Sequence, residues 1–311
     1  MFFFEREQYI YDIGGVKIGG NPGETPTVLA GTIFYGGHGI VSDSTKGTID
    51  SKAAEKLINK QDEMSEMTGN PVMIQVFAES EIAMEKYLDF ITARTDAPFL
   101  IDSTQSDVRI AGLRYAEEVG LIDRAIYNSI NVAASDEEIG ALQEIHHDCA
   151  VVLAFNPQDA SISGRRAVLE TGTSSFGRGL LDLCEEIGVT KPLIDTATTA
   201  MGAGAGSSAS FTFVSKTLYG HPVGSGIHNA PSSWAWIRKH RKTNKDAFRV
   251  CDVASNIIVQ TMGANFLLYG PIENADLVFP TIAMADILSA ESAKLELGLE
   301  PSENHPYKKL L

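Results

Sequence analysis

Polar residues of the types that hold ligands stand at the ends of short apolar runs: Asp102, Asn128 and Asn131, Asn156, Asp195, and the pair His228-Asn229. Carboxylates accept hydrogen bonds, while carboxamides both accept and donate them. Gathered on one mouth, such groups suit a flat heterocycle with N–H donors along one edge and ring acceptors along another. Asp195 is the sharpest case. It closes the apolar run "PLID" and is followed by "TATTAMGAGAG", whose small side chains neither shield a charge nor pair with it. A pocket carboxylate is the favoured reading there. For Asp102 a helix N-cap is an equal alternative, with Ser103, Ser106 and Asp107 as competing caps. For Asn156, followed by Pro157, a turn explains the residue as well as a ligand contact does.

Other chemistries are poorly served. Gly202-Ala203-Gly204-Ala205-Gly206 fails the dinucleotide pattern, which follows the first strand and is matched by an acidic residue about 20 positions on. It reads instead as a close-approach loop opening the helix after the sixth strand. No H-x-H or H-E-x-x-H pattern occurs, so His228 is expected to be a core or hydrogen-bonding imidazole, and no protein-bound metal is expected. Cys149, Cys184 and Cys251 are widely spaced and odd in number, which disfavours a disulfide framework and reads as buried thiols.

The elements that must position these residues are eight apolar runs, at 27–35, 71–78, 98–103, 124–131, 150–156, 192–198, 221–227 and 265–272. Their continuity, rather than strict alternation, is what a sheet covered on both faces requires. Amphipathic stretches separate them. One places Ala54, Leu57, Ile58 and Met64 on a stripe after Asp50 as N-cap, with Gly69-Asn70-Pro71 as a stop; another spaces Ile82, Leu88 and Ile91; a third begins at Ser135. The expected class is α/β, a (β/α)8 TIM barrel forming one domain over 1–311, with catalytic groups at the carboxyl ends of the strands. A doubly wound open sheet is the alternative. Ahead of the first barrel strand, the glycines of "YDIGGVKIGGNPGE" suggest a hairpin at about 9–20 that plugs the barrel floor.

At 311 residues and 44% hydrophobic content, the chain can bury a substantial core. A formal net charge of −15 argues against nucleic acid, whose binding needs cations to neutralise phosphates. The opening "MFFFEREQYIYD" lacks the pattern of a signal peptide, and no apolar run has the length of a transmembrane helix, so a cytoplasmic protein is expected. The basic run "RKHRKTNKDAFR" at 238–249 is the one local charge reversal, and reads as a solvated helix face or loop.

Several longer motifs carry a family likeness: "KIGGNPGETPTVLAGTIFY", "DAPFLIDST", "AGLRYAEEVGLIDRAIYNSIN", "VLAFNPQD", "PVGSGIHNAPS" and "LYGPIENADLVFP". They closely resemble the H-subunit family of tetrahydromethanopterin S-methyltransferase, which also includes bacterial enzymes passing methyl groups between methylcorrinoid proteins and tetrahydrofolate. The likeness runs from Met1 to the "HPYKKLL" end. It implies a pterin-binding barrel similar to dihydropteroate synthase, a tetrahydropterin substrate, a corrinoid (cobalamin) carried by a partner protein, and a homodimer. In such relatives an Asp ends the third strand, an Asn the fourth and an Asp the sixth, together holding the pterin; here these match Asp102, Asn128 and Asp195, with Asn131 competing for the role of Asn128. An Asn after the seventh strand lies near pterin N5 and assists methyl transfer, which makes Asn229 the candidate catalytic residue. Asn156, Ser225 and His228 complete the candidate pterin-binding set.

Two departures bear on which pterin is used. "DTATTAMGAGAGSSASFTF" differs from the Pro-containing, Ala-rich version of the methanogen subunit, and the insert between the seventh helix and eighth strand is short. Both favour a stand-alone tetrahydrofolate enzyme in a methylamine-type or betaine-type demethylation route. The alternative is the H subunit of the tetrahydromethanopterin:coenzyme M methyltransferase of methanogenesis. A dihydropteroate synthase would need cationic anchors for pyrophosphate, of which the quoted loops offer few. A non-catalytic corrinoid-docking scaffold would not need Asp102, Asn128, Asp195 and Asn229 to converge.

Overall fold

Val, Ile, Leu and Phe dominate the eight apolar runs, and in the computed structural model, which describes residues 2–311, each becomes a strand. These are β1 (Val28–Ile33), β2 (Val72–Phe77), β3 (Phe99–Asp102), β4 (Ala125–Ile130), β5 (Cys149–Leu153), β6 (Lys191–Asp195), β7 (Val223–Ser225) and β8 (Phe266–Pro271). Each pairs in parallel with the next and β8 closes on β1, so the eight strands form a closed barrel rather than an open sheet.

Side chains alternate across each strand. Ile74, Val76, Phe99, Ile101, Tyr127, Val152 and Ile194 pack outward among the helices. Val28, Ala30, Met73, Leu100, Ile126, Val151, Leu193, Phe266 and Leu268 fill the interior. Ile13 and Ile18 join that inner cluster from an antiparallel hairpin, Ile10–Ile13 with Val16–Gly19, and both are almost wholly buried. Gly14 (φ 53°) and Gly15 (φ 85°) turn the hairpin in the left-handed region. Tyr9 N–H donates to the Gly220 carbonyl at 2.9 Å, and the Tyr11 hydroxyl meets His221 Nδ1 at 2.6 Å, which tether the hairpin beneath β7.

Among the described residues, twelve helices follow in chain order: α1 (Ser51–Thr68), α2 (Glu81–Thr92), α3 (Ser106–Glu118), α4 (Asp136–Glu144), α5 (Ile162–Glu170), α6 (Leu180–Glu186), α7 (Ala205–Tyr219), α8 (Asn229–Ser233), α9 (Ala235–His240), α10 (Lys245–Thr261), α11 (Ala275–Leu297) and α12 (Pro306–Leu310). Asp50 caps α1 by accepting from Lys52 N–H and Ala53 N–H, and Gly69 at φ 89° ends it. Ala54, Ile58 and Met64 are buried as their spacing requires, and Leu57 is half-buried. Ile82 departs from expectation and is exposed. The face of α2 is set by Ala83, Tyr87 and Ile91 at four-residue steps, and Ile82 lies one position before it. Cys149 and Cys184 are buried free thiols, whereas Cys251 is half-exposed, one position before the buried Asp252 and Val253 of α10. Among the described residues, no helix is long and apolar enough to cross a membrane.

Candidate active site

One ring of inward-facing positions at the carboxyl ends of the strands lines a cavity of about 610 Å³. Thr32 comes from β1, Gln75 from β2, Asp102 from β3, Asn128 from β4, Leu153 from β5 and Asp195 from β6, with Gly226 beyond β7 and Leu268 and Gly270 from β8. The registers Asp102↔Asn128 and Leu153↔Asp195 set each polar member beside an inward-facing residue of the adjoining strand. Phe155, Leu153 and Leu268 supply apolar wall.

Burial raises both carboxyls. Asp195 is pushed up to about 6, and the nearby charge of Asp102 adds to the rise, against the Ala197 N–H that donates to its Oδ1 at 2.7 Å and the charge of Arg165. Asp102 is also pushed up to about 6 by burial, opposed by a 2.7 Å hydrogen bond from Gln75 Nε2 and by the charge of Arg109. It keeps part of its surface open to the cavity although protein surrounds it closely. Neither carboxylate has a cation in salt-bridge contact among the described residues. Such groups are costly to ionise unless N–H donors reach them.

Two buried arginines hold the strand ends in place. Arg165, fully buried, donates to the carbonyls of Ala160, Ser161 (3.3 Å), Thr196 (2.9 Å) and Ala197 (3.2 Å). It thereby clamps the loop in which Ala197, at φ 56°, turns its N–H back onto Asp195. Arg109 donates to the Ser103 carbonyl at 2.8 Å and to Glu138 at 2.6 Å, fixing the chain just after Asp102.

His228 lines the cavity with its imidazole against Gly270, where an added Cβ would lie 2.5 Å from the ring. Burial pulls its pKa down to about 4, so the ring is neutral at pH 7. Asn229 is exposed at the rim and lines the cavity as the first residue of α8. Among the described residues, no group of three His, Cys, Asp or Glu side chains is arranged to hold a metal ion.

The fold therefore brings Asp102, Asn128, Asp195, His228 and Asn229 together and leaves three candidates outside the cavity. Asn131 turns back on its own backbone, donating to the Ser129 carbonyl at 3.2 Å and accepting from Ala133 N–H at 2.9 Å. Asn156 accepts from Gln158 N–H and Asp159 N–H and donates to the Gly164 carbonyl, which makes it the hub of a turn. Ser225 is fully buried and paired in β7 beside Leu267. Its neighbour Gly224 takes the inward position, because a Cβ there would strike the Phe266 ring. Gln75, Thr32 and Tyr35 line the cavity unforeseen; the period-two step from inward Met73 to Gln75 was the available signal for the first. The glycine-rich run is a turn ending at Gly204, whose φ of 104° and approach to Ala160 exclude a side chain.

Sequence comparison gives this barrel a lineage. The profile of the tetrahydromethanopterin S-methyltransferase MtrH subunit matches residues 6–302. The chain belongs to that family. It is 52% identical to the tetrahydromethanopterin S-methyltransferase H subunit of Methanothermobacter thermautotrophicus over 311 residues, covering 100% of each chain. It is 47% identical over 320 residues to the H subunit of Methanocaldococcus jannaschii, again covering 100% of both. A putative mtx methyltransferase H subunit of Methanosarcina mazei is 46% identical over 306 residues, covering 98% of each. These relatives favour the tetrahydromethanopterin reading over the tetrahydrofolate one.

The fold of this MtrH family member is shared with dihydropteroate synthases. The enzyme of Thermus thermophilus superposes with a TM-score of 0.58 at 13% identity, covering 90% of this chain and 100% of that one. That of Xanthomonas albilineans superposes with a TM-score of 0.58 at 15% identity, covering 91% and 98%. Both are TIM barrels, and the likeness is one of fold.

Proposed function

We propose that the protein transfers a methyl group between N5 of a reduced pterin, tetrahydromethanopterin, and a corrinoid carried by a partner protein. The observation that carries this reading is the pair of buried carboxylates, Asp102 and Asp195, facing one cavity without cations against them. Full-length identity to MtrH-type chains supports the choice of pterin.

Asp102 and Asp195 accept from the amino and ring N–H groups of the amino-pyrimidine edge, and Asn128 both donates and accepts beside Asp102. A cavity of about 610 Å³ holds a bicyclic ring, with Leu153, Phe155 and Leu268 against its faces. Asn229, at the rim, donates a hydrogen bond from its amide N–H to N5 and stabilises that nitrogen as the methyl leaves it, without a pKa that must be tuned; the proton that N5 gains on demethylation, or loses in the reverse direction, is exchanged with solvent. Neutral His228 packs the wall and does not supply a proton at pH 7. The corrinoid, when bound, provides the cobalt that takes up or delivers the methyl group. Asn229 and the small residues Ala197 and Thr198 leave the mouth open toward it.

The test is anaerobic incubation of the protein with methylcobalamin and each of two pterins, following the cobalamin spectrum. Faster demethylation with tetrahydromethanopterin than with tetrahydrofolate is expected. The reverse preference would restore the stand-alone tetrahydrofolate reading. Silence with both, repeated with a cognate corrinoid protein, would remove the catalytic assignment.

A further inference from the structure

The basic run at 238–249 is more than a solvated face. It spans the end of α9, the turn after it and the start of α10, and it lines a second cavity of about 520 Å³. Tyr35, His228 and Pro271 belong to the walls of both cavities, so the second is an annexe of the first. Arg238, Arg241, Lys245 and Arg249 present four cations to it. Among the described residues none of the four forms a salt bridge.

Two acids share these walls, and neither forms a salt bridge with the four cations. Glu273 pairs with His38 Nε2 at 2.9 Å and accepts from the Tyr35 hydroxyl at 3.0 Å. Asp252 lies 3.4 Å from both Ser232 Oγ and Asn274 Nδ2, and burial pushes its carboxyl up to about 6 against the Ser232 hydrogen bond and the charge of Arg241. On a chain of net charge −15, four cations outside any salt bridge at the mouth of the candidate site, of which Arg241 stacks over the Phe248 ring, concentrate an anion where the net charge of the chain repels one.

Topology gives the annexe a direction. In the strand order of the closed barrel, β3 and β4 stand across from β7 and β8. A ring whose amino-pyrimidine edge is pinned by Asp102 and Asn128 points its other end toward His228 and Pro271, where the annexe opens. We propose that the annexe is the subsite for an anionic tail of the pterin, a phosphate or carboxylate held by Arg238, Arg241, Lys245 and Arg249. This rests on the pterin reading above. Guanidinium groups bind both oxyanions in bidentate fashion, which suits three arginines and one lysine.

The experiment compares binding of tail-bearing tetrahydromethanopterin with that of tail-less 6-methyltetrahydropterin, in the full-length protein and in R238Q/R249Q. The wild-type protein is expected to prefer the tail-bearing pterin, with the preference falling as salt rises and as inorganic phosphate is added. In the double variant the affinity ratio should drop about tenfold. Phosphate competition on the wild-type protein needs no variant to fold. A wild-type protein that binds both pterins equally overturns the annexe and leaves the ring site standing, whereas binding of neither overturns the pterin reading as well. An unchanged ratio with a raised KM for methylcobalamin alone would overturn the assignment in favour of a phosphate on the corrinoid.

Discussion

Gln75 on β2 donates through Nε2 to Asp102 Oδ2 on β3 at 2.7 Å, and its own Oε1 accepts from the Thr32 hydroxyl on β1 at 2.8 Å. Three adjacent strands thus orient one carboxylate by a chain of side chains that all face the cavity. The amide cannot rotate without leaving both neighbours unsatisfied, so Asp102 presents its other oxygen, Oδ1, to a ligand in a fixed direction. Gln75→Leu should weaken pterin binding about tenfold and move the acidic limb of its pH dependence to higher pH, because the hydrogen bond that favours ionised Asp102 is gone. Calorimetric titration across pH 5–8 reads both effects; an unshifted limb would show that Gln75 does not tune the carboxyl.

The pKa shifts of the two carboxyls fix a pH dependence of stability. Each is raised from 3.8 to about 6 in the folded chain, so the fold binds that proton more tightly than the unfolded chain does. Stability from this source is fully present below pH 4, is lost as pH rises through about 6, and stays lost at pH 7. Asp195→Asn removes the charge and should stabilise the ligand-free protein at pH 7 by ~2 kcal/mol, while having little effect at pH 4. Urea denaturation at both pH values checks it. A variant less stable at pH 7 would show that ionised Asp195 is better satisfied than its surroundings indicate.

Ligand affinity should run the opposite way. N–H donors of the pterin favour the ionised carboxylates, so binding strengthens as pH rises from 5 to 7 and levels off above the raised pKa of about 6. In Asp195→Asn that rise should become shallower and the affinity at pH 7 should fall. A pH-independent affinity in the wild-type protein would argue against carboxylates as acceptors.

Asn229→Ala should lower the rate of methyl transfer about 10²-fold with little change in pterin affinity or thermal stability. Its side chain is exposed at the rim, so folding does not depend on it. Single-turnover spectra of the cobalamin separate the chemical step from binding. A loss confined to affinity would make Asn229 a binding residue only.

Arg165→Lys should destabilise the protein by about 3 kcal/mol in urea, because an ammonium cannot span four carbonyls that a guanidinium fork reaches from inside the core. Pterin binding should fall with it, since the Ala197 N–H that supports Asp195 depends on this clamp. Unchanged stability would mean that the loop holds its shape unaided.

The barrel was legible in the sequence because parallel strands buried on both faces are largely apolar, and each of the eight runs became one of its strands. Asp102, Asn128 and Asp195 were legible for the same reason: each is a polar residue inside or closing such a run. Asn131 and Asn156 fall outside the cavity lining because they lie past the strand ends, where the chain has already left the wall and short amides serve turns. Gln75 was hidden inside an apolar run, and only its parity with Met73 marked it as inward. The cations at 238–249 could not be placed from sequence, because their distance from β1 and β8 depends on how α9 and α10 fold over the mouth.

The hairpin at Ile10–Gly19 has a consequence for traffic. With Ile13 and Ile18 sealed into the base of the barrel, the candidate site is a well with a floor. Whatever lies deepest must arrive first and depart last. A pterin seated among Asp102, Asn128 and Asp195 would be capped by the partner that comes to the rim at Asn229, so the two could not exchange places, and loading would run in a fixed order.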